Sequence, residues 1–270
     1  MRIDLTGKIA IVTGAGRGIG HHIATTFAEE GVIVVAVDKE QAGLETLQAE
    51  FDAKGQTGAT FVCDVRNPEA IAAMVEFAVS KYSRIDILVN NAGVSVTGPI
   101  DKQPPADWSA NIDTNLTGTF LTCQAVAPVM KHQRSGRILN AASFAALVPS
   151  VGSAAYAASK AGVGSFTRVL AGELGPWNIT VNCYAPGMVP TQMNHFAEAP
   201  EHVQNRLLDT LTLRRWGTKQ DVANLLCFLA SDLAGYITGS MIDVSGGKLA
   251  TQIPKVAYER AAAQSSTPAE

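Results

Sequence analysis

Apolar runs of strand length alternate with segments of helical periodicity along most of the chain. The runs are residues 8–13 (KIAIVT), 32–38 (VIVVAVD), 59–64 (ATFVCD), 85–90 (IDILVN), 136–143 (GRILNAAS), 179–185 (ITVNCYA) and 237–244 (ITGSMIDV). Strands that are apolar throughout and alternate with helices are typical of a parallel sheet with helices on both faces. The pattern therefore predicts an α/β protein built on a doubly wound, seven-stranded parallel sheet.

Local signals place two helix starts and one long irregular connection. Asn67 can cap a helix whose first residue is Pro68, and residues 104–107 (PPAD) resemble a second start. Residues 187–218 join the sixth predicted strand to the next helix and are too long for an ordinary connection. Such a segment is usually a lid over a binding site, and we interpret it as one.

Nothing in the sequence divides the chain into separate folding units. It contains no linker, internal repeat or low-complexity stretch before the final predicted strand. We predict one domain over residues 1–247 and a C-terminal extension over residues 248–270. The extension holds one short helical candidate, around residues 256–264, and ends in polar residues that we expect to be disordered.

The charge balance argues against polyanionic partners. The chain of 270 residues has 21 basic and 24 acidic side chains, and 47% of its residues are hydrophobic. A net charge of -3 gives no broad attraction to nucleic acid or to an anionic membrane. The first residues lack a signal-peptide pattern, and no apolar run reaches the ~18 residues that span a bilayer. We expect a cytoplasmic protein whose main ligands are small molecules.

Neither the cysteines nor the histidines form a metal-site pattern. The cysteines lie far apart in apolar segments without a CxxC pair, which predicts buried, reduced thiols at Cys63, Cys123, Cys183 and Cys227. His21 and His22 are adjacent in the first predicted helix, and His132 lies in a polar helix end. No histidine has a partner at metal-ligand spacing, so no metal is predicted.

The first predicted strand runs into a glycine-rich turn, residues 13–20 (TGAGRGIG). Glycines allow the backbone to turn tightly and to approach a pyrophosphate. The following helix, starting near Ile19, would offer free amides to that anion. The literal GxGxxG spacing is not met, and a tight turn without a ligand is the alternative. The motif nevertheless favours dinucleotide binding.

Asp38 ends the second predicted strand, 18 residues after Gly20. A carboxylate there can accept both hydroxyls of an adenine-side ribose and would repel a 2′-phosphate, which favours NAD over NADP. Arg17 and Lys39 could partly neutralise a phosphate, so NADP stays the less favoured alternative. Asp38 could instead cap the segment that begins at Lys39. Asp64, after the third strand, could contact the adenine amino group or cap a turn.

Tyr156 and Lys160 are four positions apart in a run of small residues. Residues at i and i+4 lie on one face of a helix, so the lysine charge is expected to lower the pKa of the tyrosine toward neutral pH. The alternative is an accidental pair of neighbours on a helix surface. The surrounding motifs decide between these interpretations.

In their order and spacing, these motifs resemble the short-chain dehydrogenase/reductase superfamily over residues 5–247. Residues 13–20 look like its TGxxxGxG cofactor loop, residues 90–93 like its NNAG motif, and residues 156–160 like its YxxxK motif. Ser143 precedes Tyr156 by thirteen residues, as the family's catalytic serine does. The resemblance implies a single-domain Rossmann fold and an oxidoreductase that uses NAD, or less readily NADP.

The resemblance assigns a role to each matching residue. The implied catalytic residues are Asn115, Ser143, Tyr156 and Lys160. The implied cofactor-binding residues are Gly14, Arg17, Gly18, Ile19, Gly20, Asp38, Lys39, Asp64, Val65, Asn91, Ala92, Gly93, Tyr156, Lys160, Pro186, Gly187, Val189 and Thr191. Tyr156 would be the acid or base, and Ser143 would polarise the substrate oxygen. Lys160 would bind the nicotinamide ribose, and Asn115 would hold a water that links Lys160 to solvent.

A homotetramer is also implied by the resemblance. Its helices around residues 115–132 and 155–172 would form one interface, and the small residues of the second helix fit a close approach of helices. We further predict that the chain after Lys248 contributes to a subunit contact or borders a neighbouring site.

The segments that flank the implied catalytic residues carry no charge. Residues 144–155 (FAALVPSVGSAA) and 94–100 (VSVTGPI) are both uncharged, which argues against a strongly anionic reacting group. The candidate substrate contacts are Ser143, Ala145, Val151, Tyr156, Met188, Met193, His195 and Phe196. We predict a neutral polyol, sugar, cyclic ketone or secondary alcohol as substrate.

Two other functions are open at this stage. The sequence also resembles 3-oxoacyl carrier-protein reductases, which use NADPH and present basic residues to an acidic carrier. Arg134 matches one such basic position, whereas Trp177 stands where a second arginine is expected and Asp38 disfavours NADPH. A protein that binds NAD without turnover is the third possibility. It would have no need of the implied catalytic set.

Overall fold

A computed structural model describes residues 3–248 and 250–265 of the chain. The strands are β1 Ile9–Thr13, β2 Ile33–Asp38, β3 Gly58–Val62, β4 Ile87–Asn90, β5 Gly136–Ala141, β6 Ile179–Pro186 and β7 Met241–Val244. All six neighbouring pairs are parallel, and the strand order is β3-β2-β1-β4-β5-β6-β7. The prediction of a doubly wound, seven-stranded parallel sheet is confirmed.

Helices connect these strands and cover both faces of the sheet. They are α1 Gly18–Glu29, α2 Gln41–Ala53, α3 Pro68–Tyr82, α4 Pro105–Ile112, α5 Gly118–Gln133, α6 Ala154–Leu174, α7 Glu201–Leu208, α8 Lys219–Ala230 and α9 Lys255–Ser265. The predicted cap of α3 is present, because Asn67 Oδ1 accepts a hydrogen bond of 2.9 Å from the Ala70 amide. Helix α4 begins at Pro105, within the PPAD segment.

The hydrophobic core forms two layers, one on each face of the sheet. Neighbouring residues of β2 divide between them, since Val34 packs with α1 and α8 whereas Val35 packs with α3, α5 and α6. This division follows from the alternation of side chains along a strand. The four cysteines are buried and unpaired, as predicted.

The last strand is shorter than the sequence pattern predicted. Residues 237–240 form a turn before β7, because the Asn182 side chain donates to the Ile237 carbonyl and accepts from the Ser240 amide. Ile237 packs against the core although it precedes β7. Its hydrophobicity therefore resembled the start of the strand.

Two segments outside the sheet complete the fold near its carboxyl edge. The long connection between β6 and α8 contains a 3₁₀ turn, Phe196–Glu198, and the short helix α7. Helix α9 lies where the C-terminal helical candidate was predicted, and the final residues, expected to be disordered, lie outside the described part of the chain. Within the described residues, no helix has the length and apolar character needed to cross a membrane.

Candidate active site

The strand order reverses between β1 and β4, which opens a crevice at the carboxyl edge of the sheet. A cleft of about 560 Å³ occupies this position. The predicted residues that line it are Gly14, Arg17, Gly18, Ile19, Asp38, Lys39, Asp64, Val65, Asn91, Ala92, Gly93, Ser143, Tyr156, Lys160, Pro186, Gly187, Val189, Thr191 and Met193. The fold thus brings residues from six strand ends, helix α6 and the lid segment to one cavity.

The glycine-rich turn combines close packing with an open cradle. A Cβ atom at Gly20 would lie 2.1 Å from the Gly14 carbonyl oxygen, so this glycine is needed for packing inside the turn. Gly18 instead has φ +65°, and a Cβ built on it meets nothing within 4 Å. It faces the cleft at the start of α1, where helix amides favour an anion. The turn therefore fits a dinucleotide pyrophosphate.

Asp38 is held by two backbone amides and also borders the cleft. Its Oδ2 accepts a hydrogen bond of 2.9 Å from the Gly16 amide, and its Oδ1 accepts one of 3.0 Å from the Glu40 amide. The first bond ties β2 to the glycine-rich turn, and the second supports the start of α2. The half-buried carboxylate still lines the cleft, where its remaining lone pairs can face a ribose.

Asp64 is engaged by a residue that the sequence analysis missed. The Arg66 guanidinium binds both of its carboxylate oxygens, with an Nη2–Oδ2 distance of 2.5 Å and an Nε–Oδ1 distance of 2.9 Å. This ion pair lowers the pKa of Asp64. Both side chains border the cleft, so the predicted adenine contact would be made by a carboxylate already fixed by its neighbour.

Ser143 and Tyr156 lie at the opposite end of the cleft from Asp38. Ser143 directly follows the end of β5, and its Oγ accepts a hydrogen bond of 3.2 Å from the Ala145 amide, which begins a 3₁₀ turn. Tyr156 is in the first turn of α6. A hydrogen bond from Ser143 lowers the pKa of Tyr156, but burial has the larger effect and raises that pKa above its ordinary value.

Lys160 lies one helical turn beyond Tyr156 and is buried, with 4% of its surface exposed. Its Nζ donates a hydrogen bond of 2.7 Å to the Ala141 carbonyl and lies 5.8 Å from the centroid of the Tyr156 ring. Burial lowers the pKa of this lysine to about 8. The expected lowering of the tyrosine pKa by this lysine is thus wrong for the protein alone, because desolvation dominates both groups.

Asn115 is buried beside this pair, in a π-helical turn at Asp113–Thr117. Its side chain bonds the Val94 amide and carbonyl at 2.8 and 2.9 Å, and it donates to the Ser159 hydroxyl at 3.0 Å. Gly93 lies between it and Lys160, since a Cβ there would be 3.0 Å from Asn115 Oδ1 and 3.6 Å from Lys160 Nζ. The role predicted for Asn115, which is to hold a water that links Lys160 to solvent, stays a prediction.

The candidate substrate residues divide between the cleft and its surroundings. Ala145 and Met188 are buried, whereas Val151 is fully exposed. Two lid residues make contacts of their own, since His195 Nδ1 lies 2.8 Å from Glu198 and Phe196 stacks on Trp216. Among the residues that were predicted to contact the substrate and nothing else, Met193 is the one that lines the cleft.

The sequence analysis missed Tyr184, which lies near the end of β6 and lines the cleft. Its hydroxyl donates to Asn91 Oδ1 at 3.3 Å, and the Asn91 amide group in turn donates to the Thr13 and Gly14 carbonyls. Burial raises the pKa of Tyr184, so it stays protonated. Alternation along β6 was the available signal, because every second residue near a strand end faces the same side.

Among the described residues, no group of three or more histidine, cysteine, aspartate or glutamate side chains is arranged to hold a metal ion. The cleft instead presents a cradle for pyrophosphate, a carboxylate for a ribose, and a tyrosine beside a buried lysine. These are the parts that a nicotinamide dinucleotide and an alcohol or ketone require.

A family model described as Enoyl-(Acyl carrier protein) reductase matches residues 14–248 of the chain. The chain belongs to the short-chain dehydrogenase/reductase superfamily. It is a 3-oxoacyl-carrier-protein reductase-like member of that superfamily, and an oxidoreductase.

Individual relatives agree with this assignment. The chain is 41% identical over 246 residues to the (2S)-[(R)-hydroxy(phenyl)methyl]succinyl-CoA dehydrogenase subunit of Thauera aromatica, with 91% of this chain and 98% of the relative covered. It is 40% identical over 243 residues to the 3-oxoacyl-[acyl-carrier-protein] reductase of Thermotoga maritima, with coverage of 90% and 98%. Among solved structures of this superfamily, 7α-hydroxysteroid dehydrogenase complexed with NADH and 7-oxo glycochenodeoxycholic acid gives a TM-score of 0.86 at 36% identity, covering 91% of this chain and 95% of that one.

Proposed function

We propose that this chain interconverts the secondary alcohol and the ketone of a 3-hydroxyacyl and 3-oxoacyl thioester, with NAD as its preferred cofactor. The observation that carries the proposal is the placement of Ser143, Tyr156 and Lys160 in one cleft with Asp38 and the glycine-rich cradle. The relatives from Thauera and Thermotoga act on a CoA thioester and on a carrier-protein thioester, by their names. This replaces a polyol or sugar as the favoured substrate.

The proton chemistry follows from the environment of Tyr156. When bound, the nicotinamide ring supplies the site that takes or gives the hydride. Tyr156 then takes the proton of the alcohol, or returns it to the ketone oxygen, and Ser143 donates a hydrogen bond to that same oxygen. A tyrosine whose pKa is raised needs positive charge nearby to act as a base. Lys160 is positioned to supply this positive charge, since its ammonium would bind the nicotinamide ribose.

Asp38 supports NAD rather than NADP. Its carboxylate is held by the Gly16 and Glu40 amides, so it cannot turn away from the cleft without losing two hydrogen bonds. A 2′-phosphate would lie against this fixed negative charge, and like charges in contact are destabilising. Arg17 is exposed and Lys39 pairs with Glu40 at 3.6 Å, so neither is locked in place to receive a phosphate.

The surface around Trp177 supports a thioester on a carrier. Trp177 replaces an expected arginine, but Lys131 Nζ lies over its ring at 4.3 Å from the centroid. Arg134 lies beside it and donates to the Pro176 carbonyl at 3.5 Å. Positive charge is therefore present on this surface despite the replacement. Because Arg134 precedes β5 and Trp177 precedes β6, the surface lies at the amino edge of the sheet, and an acidic carrier protein held there would serve the cleft of another subunit.

A neutral cyclic alcohol is the second candidate. Of the exposed apolar side chains, Met193 lines the cleft, whereas Leu147, Val148 and Val151 belong to the uncharged segment between Ser143 and Tyr156. The related steroid dehydrogenase binds a bulky ring ketone, by its description. A protein that binds NAD without turnover is less well supported, because the cleft holds a complete acid-base set.

Initial rates at 340 nm test these alternatives directly. NAD would be paired with 3-hydroxyacyl thioesters, polyols, sugars and cyclic alcohols, and NADH and NADPH with acetoacetyl thioesters. The proposal expects turnover of the thioesters with kcat/KM higher for NAD(H) than for NADP(H). Turnover of cyclic alcohols alone would establish the second candidate. A preference for NADPH with the thioesters would refute the assignment of Asp38.

We also propose that the chain assembles as a homotetramer. The exposed faces of α5 and α6 support this, since Phe120 and Val169 are 42% and 61% exposed and Phe120 contacts Phe166 edge to face. Large apolar side chains on neighbouring helix faces are typical of an interface. Light scattering that gave a stable monomer at micromolar concentration would refute this proposal.

A further inference from the structure

Lys248 is a partly buried cation that the chemistry described above leaves unused. It follows the turn after β7, and its Nζ lies 2.5 Å from Thr210 Oγ1 and 5.6 Å from the centroid of the Phe144 ring. No carboxylate of the described residues lies within 4.0 Å of that nitrogen. Burial, with no opposing charge, lowers the pKa of Lys248.

The neighbouring basic side chains are arranged differently. Arg214 Nε and Lys255 Nζ both contact Asp209, at 2.9 and 3.4 Å, and Arg215 Nη1 contacts Asp221 at 2.9 Å. The acidic side chains in this region thus already have partners. Asp209 pairs with Arg214 and Lys255, and Asp243 accepts a hydrogen bond from the Ser245 hydroxyl. A desolvated ammonium without a counter-charge is unfavourable unless a ligand supplies one.

Lys248 lies next to segments that border the cleft on the side of Ser143. Phe144 directly follows Ser143, and Thr210 lies in the lid segment just after α7. The lysine backbone is fixed, because its amide donates to Ser245 Oγ at 3.0 Å. Ser245 in turn packs against Gly187, where a Cβ would lie 2.5 Å from the Ser245 Cα, and Gly187 lines the cleft.

We propose that Lys248 is a specificity-determining residue that binds a carboxylate on the acyl part of the substrate, at the end remote from the reacting carbon. The inference rests on the proposed thioester function. An ammonium flanked by a hydroxyl and an aromatic face can bind a carboxylate oxygen through a charge-assisted hydrogen bond. Thr210 Oγ1 accepts another hydrogen bond from the same ammonium and donates its own proton to the Leu207 carbonyl, so it orients the lysine. The succinyl group in the name of the Thauera relative carries such a carboxylate.

The test compares charged and neutral substrates on the same uncharged carrier. The probes are the N-acetylcysteamine thioesters of 3-hydroxyglutarate and 3-hydroxybutyrate, which differ in a terminal carboxylate. In Lys248→Met, the ratio of kcat/KM for the charged over the neutral thioester should fall by about tenfold or more, since a hydrogen bond to a charged group is lost. An unchanged ratio would overturn the proposal and leave Lys248 a support for the lid.

Two matched variants separate charge recognition from lid support. Thr210→Val removes the neighbouring hydroxyl but keeps the ammonium, and Lys255→Met removes a cation of the tail that pairs with Asp209. The ratio should fall by less than about threefold in the first and stay unchanged in the second. A loss in Lys248→Met that appeared with the 3-hydroxybutyryl CoA thioester and not with the charged N-acetylcysteamine thioester would assign Lys248 to the CoA phosphates and overturn the carboxylate proposal.

A binding measurement keeps this inference separate from the proposed activity. Calorimetric titration of 3-hydroxyglutarate into the protein with NADH present needs no turnover. The Kd should rise by about tenfold or more in Lys248→Met. Equal Kd values in both proteins would overturn the inference even if the thioesters are turned over. Tighter binding to the wild type would support the carboxylate site even if thioester activity proved absent.

Discussion

The cofactor end and the substrate end of the cleft differ in how completely hydrogen bonds within the protein fix their lining residues. At the cofactor end, Thr13 Oγ1 accepts from the Asn91 and Ala92 amides, and Asp38 accepts from the Gly16 amide. At the substrate end, the lining includes the lid side chains Gln192, Met193 and Asn194, and Met193 is 52% exposed. The first end is a surface of backbone groups, whereas the second is a surface of side chains.

This difference explains what each end can do. A rigid cradle made of paired backbone groups suits a ligand that is always the same, because little order is lost on binding. Loops with exposed side chains can accept different substrates after few substitutions, since no hydrogen-bond network has to be rebuilt. Tyr156 and Lys160 lie where the two ends meet, and they are the groups whose charge depends on both ligands.

The largest expected effect is at this junction. Tyr156→Phe keeps the ring and removes the proton-transferring hydroxyl, so kcat should fall by ~100-fold or more. NADH binding, followed by fluorescence titration, should change little because the cofactor end is held by other residues. Near-normal turnover would refute the assignment of Tyr156. A parallel loss of NADH binding would show that the two ends are not separable.

The pH dependence of stability tests the burial of Lys160. Its pKa is about 8 in the folded protein, against about 10.5 when exposed. Below pH 8 the folded chain buries a charged lysine. As the pH rises from about 8 to 10.5, the folded chain loses that proton before the unfolded chain does, so stability is gained relative to a variant without the group.

The free energy of unfolding of Lys160→Met, compared with that of the wild type, should therefore be lowest at high pH. The difference in unfolding free energy between the two proteins should shift by on the order of 2–3 kcal/mol between pH 7 and pH 10.5. Chemical denaturation at several pH values measures it. Lys102→Met, at an exposed lysine, is the control whose difference should not change. A constant difference for Lys160→Met would mean that the lysine stays solvated.

A smaller effect is expected from the cofactor preference. Asp38→Ala removes the negative charge facing the ribose, so the ratio of kcat/KM for NADP over NAD should rise by about tenfold or more. Asp38→Asn keeps one acceptor for the backbone amides and separates the loss of charge from the loss of loop support. An unchanged ratio in both variants would show that Arg17 and Lys39 set the preference.

The same contrast governs how much the sequence could predict. The strands were predictable because each is apolar throughout, and the glycine-rich turn because its residues are contiguous and need special backbone geometry. Tyr184 was missed because its partner, Asn91, follows a different strand. Arg66 was missed although its partner, Asp64, is only two residues away in the sequence. The pKa of Tyr156 was predicted in the wrong direction because helical spacing gives the distance to a charge but not the burial of both groups.

The position of Lys248 and the contacts at the substrate end could not be predicted from the sequence, for a related reason. The segment around Ser143 is uncharged, which is correct, yet a cation reaches it from the turn after β7. Only the three-dimensional path of the chain shows that approach. Exposed loop residues such as Val151 carry no periodicity or spacing that links them to the cleft, so their inclusion as substrate contacts depended on a family resemblance.

The smallest expected effect concerns α9, the C-terminal helix, which contacts the lid segment at the substrate end of the cleft. Lys255 contacts Asp209 at 3.4 Å, and the Tyr258 hydroxyl donates to the Thr212 carbonyl at 2.8 Å. These contacts hold the base of the lid segment, and because they lie at the protein surface each contributes little to stability.

Ending the chain after Gln252 removes α9 but keeps Lys248. KM for the substrate should then rise by about threefold, with NADH affinity unchanged, because a looser lid affects only the substrate end. Lys255→Met, which removes the ion pair alone, should raise KM by less than about twofold. Size-exclusion chromatography of the truncated chain tests the predicted subunit contact of the tail at the same time. A loss of NADH affinity on truncation would contradict the division of the cleft into two independently held ends, since Lys255 and Tyr258 of α9 contact the lid.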